Sequence, residues 1–447
     1  MYNEKYRPQF HFTAKKNWLN DPNGLVFYDG EYHLFFQHNP ESVQWGNMTW
    51  GHAVSPDLLR WKQLRNAIEP DELGTIFSGS AVVDWNNSSG FQTGAEKVMV
   101  AFYTAAGEHG TAGKRPFTQC AAYSNDRGRT WTKFAGNPVL GNRTPSNRDP
   151  RVLWHEPTKK WVLVLAEDPG QYYSFHVSDD LKSWRCVSEL RGENIFECPD
   201  LFELPVEGRP GDTRWILHGG NGHYLIGAFD GTAFVKESGK FALDHGSNFY
   251  AAQTFSDIPP TDGRRIQIPW MNGGEYPDMP FNQQMGFPCE LTLRATNEGL
   301  RVFRRPVHEI RHIRGRLRRW NDTPLSPGEN PLEGLAGDLF EIRAEIDLAG
   351  ADRVGFRLRG EEVRYVARDK RLKCMGRSVP IELADGPLKL HLLLDRSSLE
   401  VFAQDGFVAM SFCLLPDSDD RSLEIYSKGA RAKIVSLEVW ELSSVWT

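Results

Sequence analysis

A short polar plan occurs three times in this chain, as SPDLLRW (Ser55 to Trp61), SNDRGRTW (Ser124 to Trp131) and SDDLKSW (Ser178 to Trp184). In each, Ser is followed two residues later by Asp, and a Trp closes the stretch. Two copies share identical spacing and the third carries one extra residue. Each follows a hydrophobic run of strand character. Short Asp and Ser side chains close turns, and a Trp covers apolar surface, so the plan reads as an outer hairpin capping the edge of a small sheet. A chain that repeats one such unit must stack its copies to bury a core, which narrows the fold to repeat architectures.

Between these copies lie hairpins with a common opening. NDPNGLVFYDGEYHLFF runs from Asn20, RDPRVLWHEPTKKWVLVLA from Arg148, and ECPDLFELPVEGRPGDTRWILHGG from Glu197. In each, a polar or charged pair precedes Pro, then a strand, a turn and an aromatic-bearing strand. Double-strand segments from Phe77 and from Asn248 extend the series without the Pro. Long helical periodicity is absent, and short alternating runs are punctuated by Gly, Pro, Asn and Asp, as in an all-β chain. Five units of roughly fifty residues are the size of four-stranded propeller blades. The expected architecture is therefore a five-bladed β-propeller over residues 1–295, a linker over 296–337 that is basic and then rich in Pro and Gly, and a β-sandwich over 338–447.

Aromatic residues make up 12% of the 447 residues, which suits aromatic strands and sites that stack flat ligand faces. A net charge of −6 without a long basic run argues against nucleic acid. No stretch approaches the ~20 apolar residues of a membrane helix. The opening MYNEKYRPQFHF lacks the apolar centre of a signal peptide, so the expected location is the cytoplasm, or outside the cell for a processed mature form. Six scattered cysteines without a C-x-x-C pair argue against a disulfide framework. The histidines carry no metal-ligating spacing, and neither a metal nor a cofactor is expected. Nothing in the sequence speaks to oligomeric state.

In a propeller the blade openings converge on a central funnel. Aligning the three hairpins on Pro superposes Asp21 and Asp149 and places Glu197 one residue earlier. Three acids at matched openings point to one pocket and to chemistry rather than turn-making. Two carboxyls flanking a bond, one ionised and one protonated, are what glycoside hydrolysis requires. Glu197, between Phe196 and Cys198, has the apolar setting that suits the acid. Asp21, with Asn20 and Asn23 as donors, suits the nucleophile. Asp149, beside Arg148 and near Arg151, is expected to stay an anion that favours a cationic transition state. Asp200 is the rival to Glu197 and reads rather as a strand-end turn acid.

The ordered motifs NWLNDPNG, FSGSAVVDW, RDPRV, ECPDLF and LDRSSLEVFAQDG together resemble glycoside hydrolase family 32, the β-fructofuranosidases, over nearly the whole chain. The resemblance implies the propeller-and-sandwich fold and a retaining cleavage through a covalent fructosyl-enzyme. In it, Asp21 matches the nucleophile, Glu197 the general acid/base and Asp149 the transition-state stabiliser, with the two reacting carboxyls ~5 Å apart. It further implies that Asn20, Gln37, Trp45, Phe77, Ser78 and Arg148 hold the terminal fructose, with Trp270 as an aromatic wall. Two positions depart from the family pattern: Asn248 stands where Asp is usual, and Cys289 where invertases commonly carry Arg. MPFNQQM (Met279 to Met285) leans toward the fructan-hydrolysing branch. The expected substrates are levan, inulin or sucrose. The alternatives are an endo-acting or fructosyl-transferring enzyme that makes oligosaccharides or difructose anhydride, and a non-catalytic carbohydrate-binding protein.

Overall fold

The computed structural model describes residues 2–107, 115–383, 386–416 and 419–446. Residues 17 to 306 fold into five sheets, antiparallel except where Asn17 and Trp18 pair parallel with Phe281 and Asn282. The innermost strands are Asn17–Tyr28, Thr75–Asp84, Arg148–His155, Asp200–Pro205 and Tyr250–Thr254. They belong to the five units read from the sequence. The ring closes between the first and last blades, where Phe27 N donates to Ser256 O at 2.9 Å and Ser256 N to Leu25 O at 2.8 Å.

The repeated Ser-Asp-Trp plan does what its chemistry suggests. Asp57 accepts the amides of Leu59 and Arg60, Asp126 that of Thr130, and Asp180 those of Lys182 and Ser183. In the first two copies the closing indole donates back into its own turn, Trp61 to Leu58 O and Trp131 to Gly128 O. Each carboxylate thus satisfies turn amides that no ladder reaches.

Apart from the pairing of Asn17 and Trp18 with Phe281 and Asn282, the innermost strands show no sheet neighbour on the axial side among the described residues, so their bare edges need other partners. Side chains supply them. Gln253 accepts Leu25 N at 3.0 Å and donates to Gly79 O at 3.0 Å, and Ser80 Oγ joins Pro150 O to Val152 N. Arg151 pairs with Asp200 at 2.9 Å, and Asp200 also accepts Thr254 N. Asp200 is therefore a buried structural acid on the axis. Gly79 is obligatory here, because a Cβ would stand 1.9 Å from Phe102 O.

The segment 296–337 differs from the expected linker. Gly299–Pro306 is the outer strand of the fifth blade, and Arg314–Leu325 pairs along Ala432–Leu442 at the edge of a sandwich sheet. Its basic run reads as linker because this edge strand lies mostly in solvent and is blunted by charge. The sandwich consists of a six-stranded and a five-stranded sheet around an apolar core that includes Phe356, Leu392, Val401 and Ile425.

The two domains share a second core in which Phe10, Phe12 and Phe287 meet Leu393, Phe402 and Trp440. Within it His11 is enclosed, with Nδ1 2.8 Å from Asp395 and Nε2 2.8 Å from Glu400. Arg304 completes the network, 2.7 Å from Asp244 and 3.3 Å from Glu400. Asp395 and Glu400 of LDRSSLEVFAQDG thus bind the domains together. Asn248 works at the same seam, donating to Asn272 O and accepting Cys413 N. Cys289 is an apolar filler whose thiol meets Phe287 O. All six cysteines are free thiols, and among the described residues no helix is long and apolar enough to cross a membrane.

Candidate active site

The acids do not emerge from regular strand. The ladder between the first two strands of blade 1 is irregular between Leu19 and Pro22, around Asn20 and Asp21. Matching irregularities lie between Ile76 and Gly79, around Phe77 and Ser78, and in blade 3 around Asp149 and Pro150. A bulge re-aims side chains that alternation would send to opposite faces, and Pro is tolerated there because no ladder amide is lost. Blade 4 uses backbone strain instead. Glu197 and Cys198 have φ of 57° and 39°, and Asp149 in blade 3 has 63°. Left-handed backbone is uncommon for such residues and concentrates at functional sites.

These devices bring the candidates together. Asn20, Asp21, Gln37, Trp45, Phe77, Ser78, Arg148, Asp149, Glu197 and Cys198 line one cavity of about 110 Å³ at the mouth of the funnel. Trp270 stands behind it, edge-on to Tyr250 at 6.2 Å and to Trp18 at 6.4 Å. Trp45 meets Phe77 edge-on at 6.0 Å and is half exposed at the rim.

Asp21 accepts Ser78 Oγ at 2.6 Å and Asn20 Nδ2 at 3.1 Å, and Asn20 is itself held by Trp18 Nε1 at 2.8 Å. The expected donor Asn23 points elsewhere: its Oδ1 accepts Gly79 N inside the ring. Burial raises the pKa of Asp21, and the hydrogen bonds from Ser78 and Asn20 pull against that rise.

Asp149 departs from the expectation of a firm anion. Burial pushes its pKa up to about 7, against the pull of Arg148 and with added repulsion from Glu197 and Asp21. Arg148 lowers it only in part, because that side chain is shared. Its guanidinium stands 3.9 Å from Asp149 but 2.5 Å from Glu197 and 3.2 Å from Asp168. Asp149 is held by Cys198 N at 3.1 Å. Glu197 is thus less apolar in setting than its neighbours imply: Arg148 takes one carboxyl oxygen and the Tyr250 hydroxyl donates to the other.

Two residues escaped the sequence reading of the site. The Cys198 thiol lies 3.6 Å from both Asp21 Oδ2 and Asp149 Oδ2, bridging two acids from different blades. Its signal was its place directly after Glu197. Tyr250 opens the fifth unit, and the alignment of blade openings could have found it.

The family model for the glycosyl hydrolases family 32 N-terminal domain matches residues 11–306, and that for the family's C-terminal domain matches residues 309–441. The chain belongs to glycosyl hydrolase family 32. It is 43% identical to a levanase of Bacillus subtilis, over all of this chain and 72% of that protein. A levanase of Bacillus sp. strain L7 is 34% identical, and this chain spans 53% of its length. An extracellular exo-inulinase of Aspergillus niger is 30% identical, with 96% of it covered. The crystal structure of exo-inulinase from Aspergillus awamori superposes with a TM-score of 0.90 at 29% identity, with both chains fully covered. As a family 32 protein, this chain is a glycoside hydrolase with the five-bladed propeller and sandwich of its relatives.

Proposed function

We propose that this chain is a retaining, exo-acting β-fructosidase that releases terminal β-D-fructofuranosyl units from levan, inulin or sucrose. The observation that carries the reading is the convergence of Asp21, Asp149 and Glu197 from three blades on one small polar cavity. Relatives named levanase, exo-inulinase and invertase support the substrate class.

Asp21 attacks the anomeric carbon of the bound fructosyl unit while the Glu197 carboxyl gives its proton to the departing glycosidic oxygen. The bond to the leaving sugar breaks and an Asp21 ester forms. Glu197, now a carboxylate, takes a proton from water, and the resulting hydroxide displaces Asp21 from the same carbon. Two inversions return the original configuration. Asp149 places negative charge beside the oxocarbenium-like centre in both steps. Burial, with repulsion among the crowded carboxyls, raises the pKa of Asp21 and of Asp149. Ser78 and Asn20 fix the attacking oxygens, and Arg148 with Tyr250 orient Glu197.

The test is fructose release from sucrose, inulin and levan by the unmodified enzyme, Glu197→Gln and Asp21→Asn. Both variants should lose at least 10³-fold in kcat, with free fructose as the sole early product from polymers. Full activity in either variant refutes the assignment, and a ladder of oligosaccharides refutes exo action.

A further inference from the structure

The inner strands have a second end. Val82, Leu153 and Phe202 each stand four residues along the chain from Ser78, Asp149 and Cys198 of the catalytic mouth. They line a separate cavity of about 630 Å³. Four residues of strand span about 13 Å, and the buried Arg151–Asp200 pair and the Gln253 and Ser80 bridges lie between the two ends. The motif FSGSAVVDW therefore serves both: its Phe77 and Ser78 line the front cavity and its Trp85 the rear one.

The rear cavity is built from indoles and paired charges. Trp85 and Trp154 line it, with Trp215 beside them. Trp85 is 49% exposed, yet its Nε1 donates to Asp257 at 2.8 Å, which fixes its ring. The Trp154 Nε1 is likewise tied to Glu156 at 2.6 Å. A large apolar ring held rigid in solvent costs a ligand little ordering. Among them stands Arg265, which donates to Phe255 O at 3.3 Å and lies 5.4 Å over the Phe202 ring. Burial and the neighbouring Arg151 lower its pKa to about 10.

The charges select the kind of ligand. Arg265 is opposed by Asp257 and Glu203 in the same cavity, while Arg151 is already closed on Asp200. A phosphate would meet more carboxylates than free guanidinium there, and among the described residues no three side chains gather to hold a metal ion. A neutral polyhydroxyl chain does fit, since its apolar ring faces stack on indoles and its hydroxyls bridge a guanidinium and carboxylates. We infer that the rear mouth of the propeller is a second carbohydrate-binding site, which holds a fructan chain away from the catalytic funnel. The inference rests on the β-fructosidase reading for the identity of the sugar.

Affinity electrophoresis in native gels containing levan or inulin tests it, in a Glu197→Gln background that leaves the polymer intact. Adding Trp85→Ala and Trp154→Ala should weaken retardation by about fivefold to tenfold. Trp85→Phe, which keeps an aromatic face, should restore most of it in the single-site variant. In the active enzyme, Trp85→Ala with Trp154→Ala should leave kcat/KM on sucrose within about twofold while KM for polymer rises. Retardation unchanged by the paired substitution overturns the inference, and so does a loss that extends equally to sucrose hydrolysis. Failure of the catalytic reading would show separately, as absence of fructose release by the unmodified enzyme.

Discussion

Substituting His11 by Gln should cost the protein its dependence of stability on pH in the alkaline range. His11 is fully enclosed between the domains, and burial alone would lower its pKa. Its hydrogen bonds to Asp395 and Glu400 outweigh that and push it up to about 9. Both partners only accept, so the doubly protonated ring satisfies both at once. Raising a pKa from 6.5 to about 9 corresponds to roughly 3 kcal/mol of preference for the charged form. Because the folded-state value is raised, this contribution is complete below pH 6.5 and is lost as pH climbs through about 9. The partner carboxylates run the other way. The pKa of each is lowered, against the effect of burial, chiefly by the His11 hydrogen bond, so their contribution is present above the ordinary carboxylate range and lost in acid. Without His11, Asp395 keeps the amides of Gln9, Phe10 and residue 11, and Glu400 keeps Phe287 N and Arg304. The loss in His11→Gln at pH 6 should therefore sit near 3 kcal/mol, at the lower end for a broken buried pair. Urea unfolding from pH 5 to 10 reads it. Wild-type stability should fall by about 3 kcal/mol between pH 6.5 and 9.5, and the variant profile should be nearly flat over that range. Parallel profiles would refute the reasoning.

Asp149→Asn should lower kcat/KM by about 10²–10³-fold, measured on sucrose, by removing the charge beside the reacting centre. Its raised pKa means that stability falls as pH rises from about 4 to about 7, and that the penalty stays constant above that. The same variant should therefore gain about 1 kcal/mol of stability at pH 8 in urea unfolding. Tyr250→Phe removes the hydroxyl that donates to Glu197 and should reduce kcat about tenfold with little change in KM, read from sucrose saturation curves. Asp57→Ala strips the turn of blade 1 of its acceptor for two amides and an Arg60 guanidinium. It should destabilise the protein by about 1–2 kcal/mol in thermal or urea unfolding and leave kcat unchanged.

The repeat was legible because it is local chemistry. A Ser-Asp-Trp turn satisfies its own amides, so its residues announce it wherever it stands. The five inner strands followed from the same logic, and so did the three acids, because each stands at a blade opening, whereas Asn20, Gln37, Trp45, Phe77, Ser78 and Arg148 were legible as pocket residues only through the resemblance to family 32. The edge strand Arg314–Leu325 did not, since a strand that pairs on one side and meets solvent on the other carries the composition of a linker. What most escaped the sequence was orientation. Arg148 follows the chain order of its neighbour Asp149 but spans outward to Glu197 and Asp168, from a neighbouring blade and a neighbouring turn. Asn23 is adjacent to the acid motif but faces into the ring.

That orientation has a backbone cause, which also explains the one-residue offset of Glu197 against Asp21 and Asp149. A strand alternates its side chains, so an acid one place out of step should face away from the funnel. Left-handed backbone at Glu197 and Cys198 turns the chain before the strand begins at Asp200, and the carboxyl swings back to the pocket. The same turn aims Cys198 N and its thiol at Asp149. Blades 1 and 3 reach the pocket by bulges around Asp-Pro, and blade 4 reaches it by strain around Glu-Cys-Pro. Two unlike local devices, used on three blades and ending on one cavity, are hard to explain as packing, because each costs conformational energy that a regular strand would avoid. The position of the acids, more than their number, is what argues that the pocket exists for its chemistry.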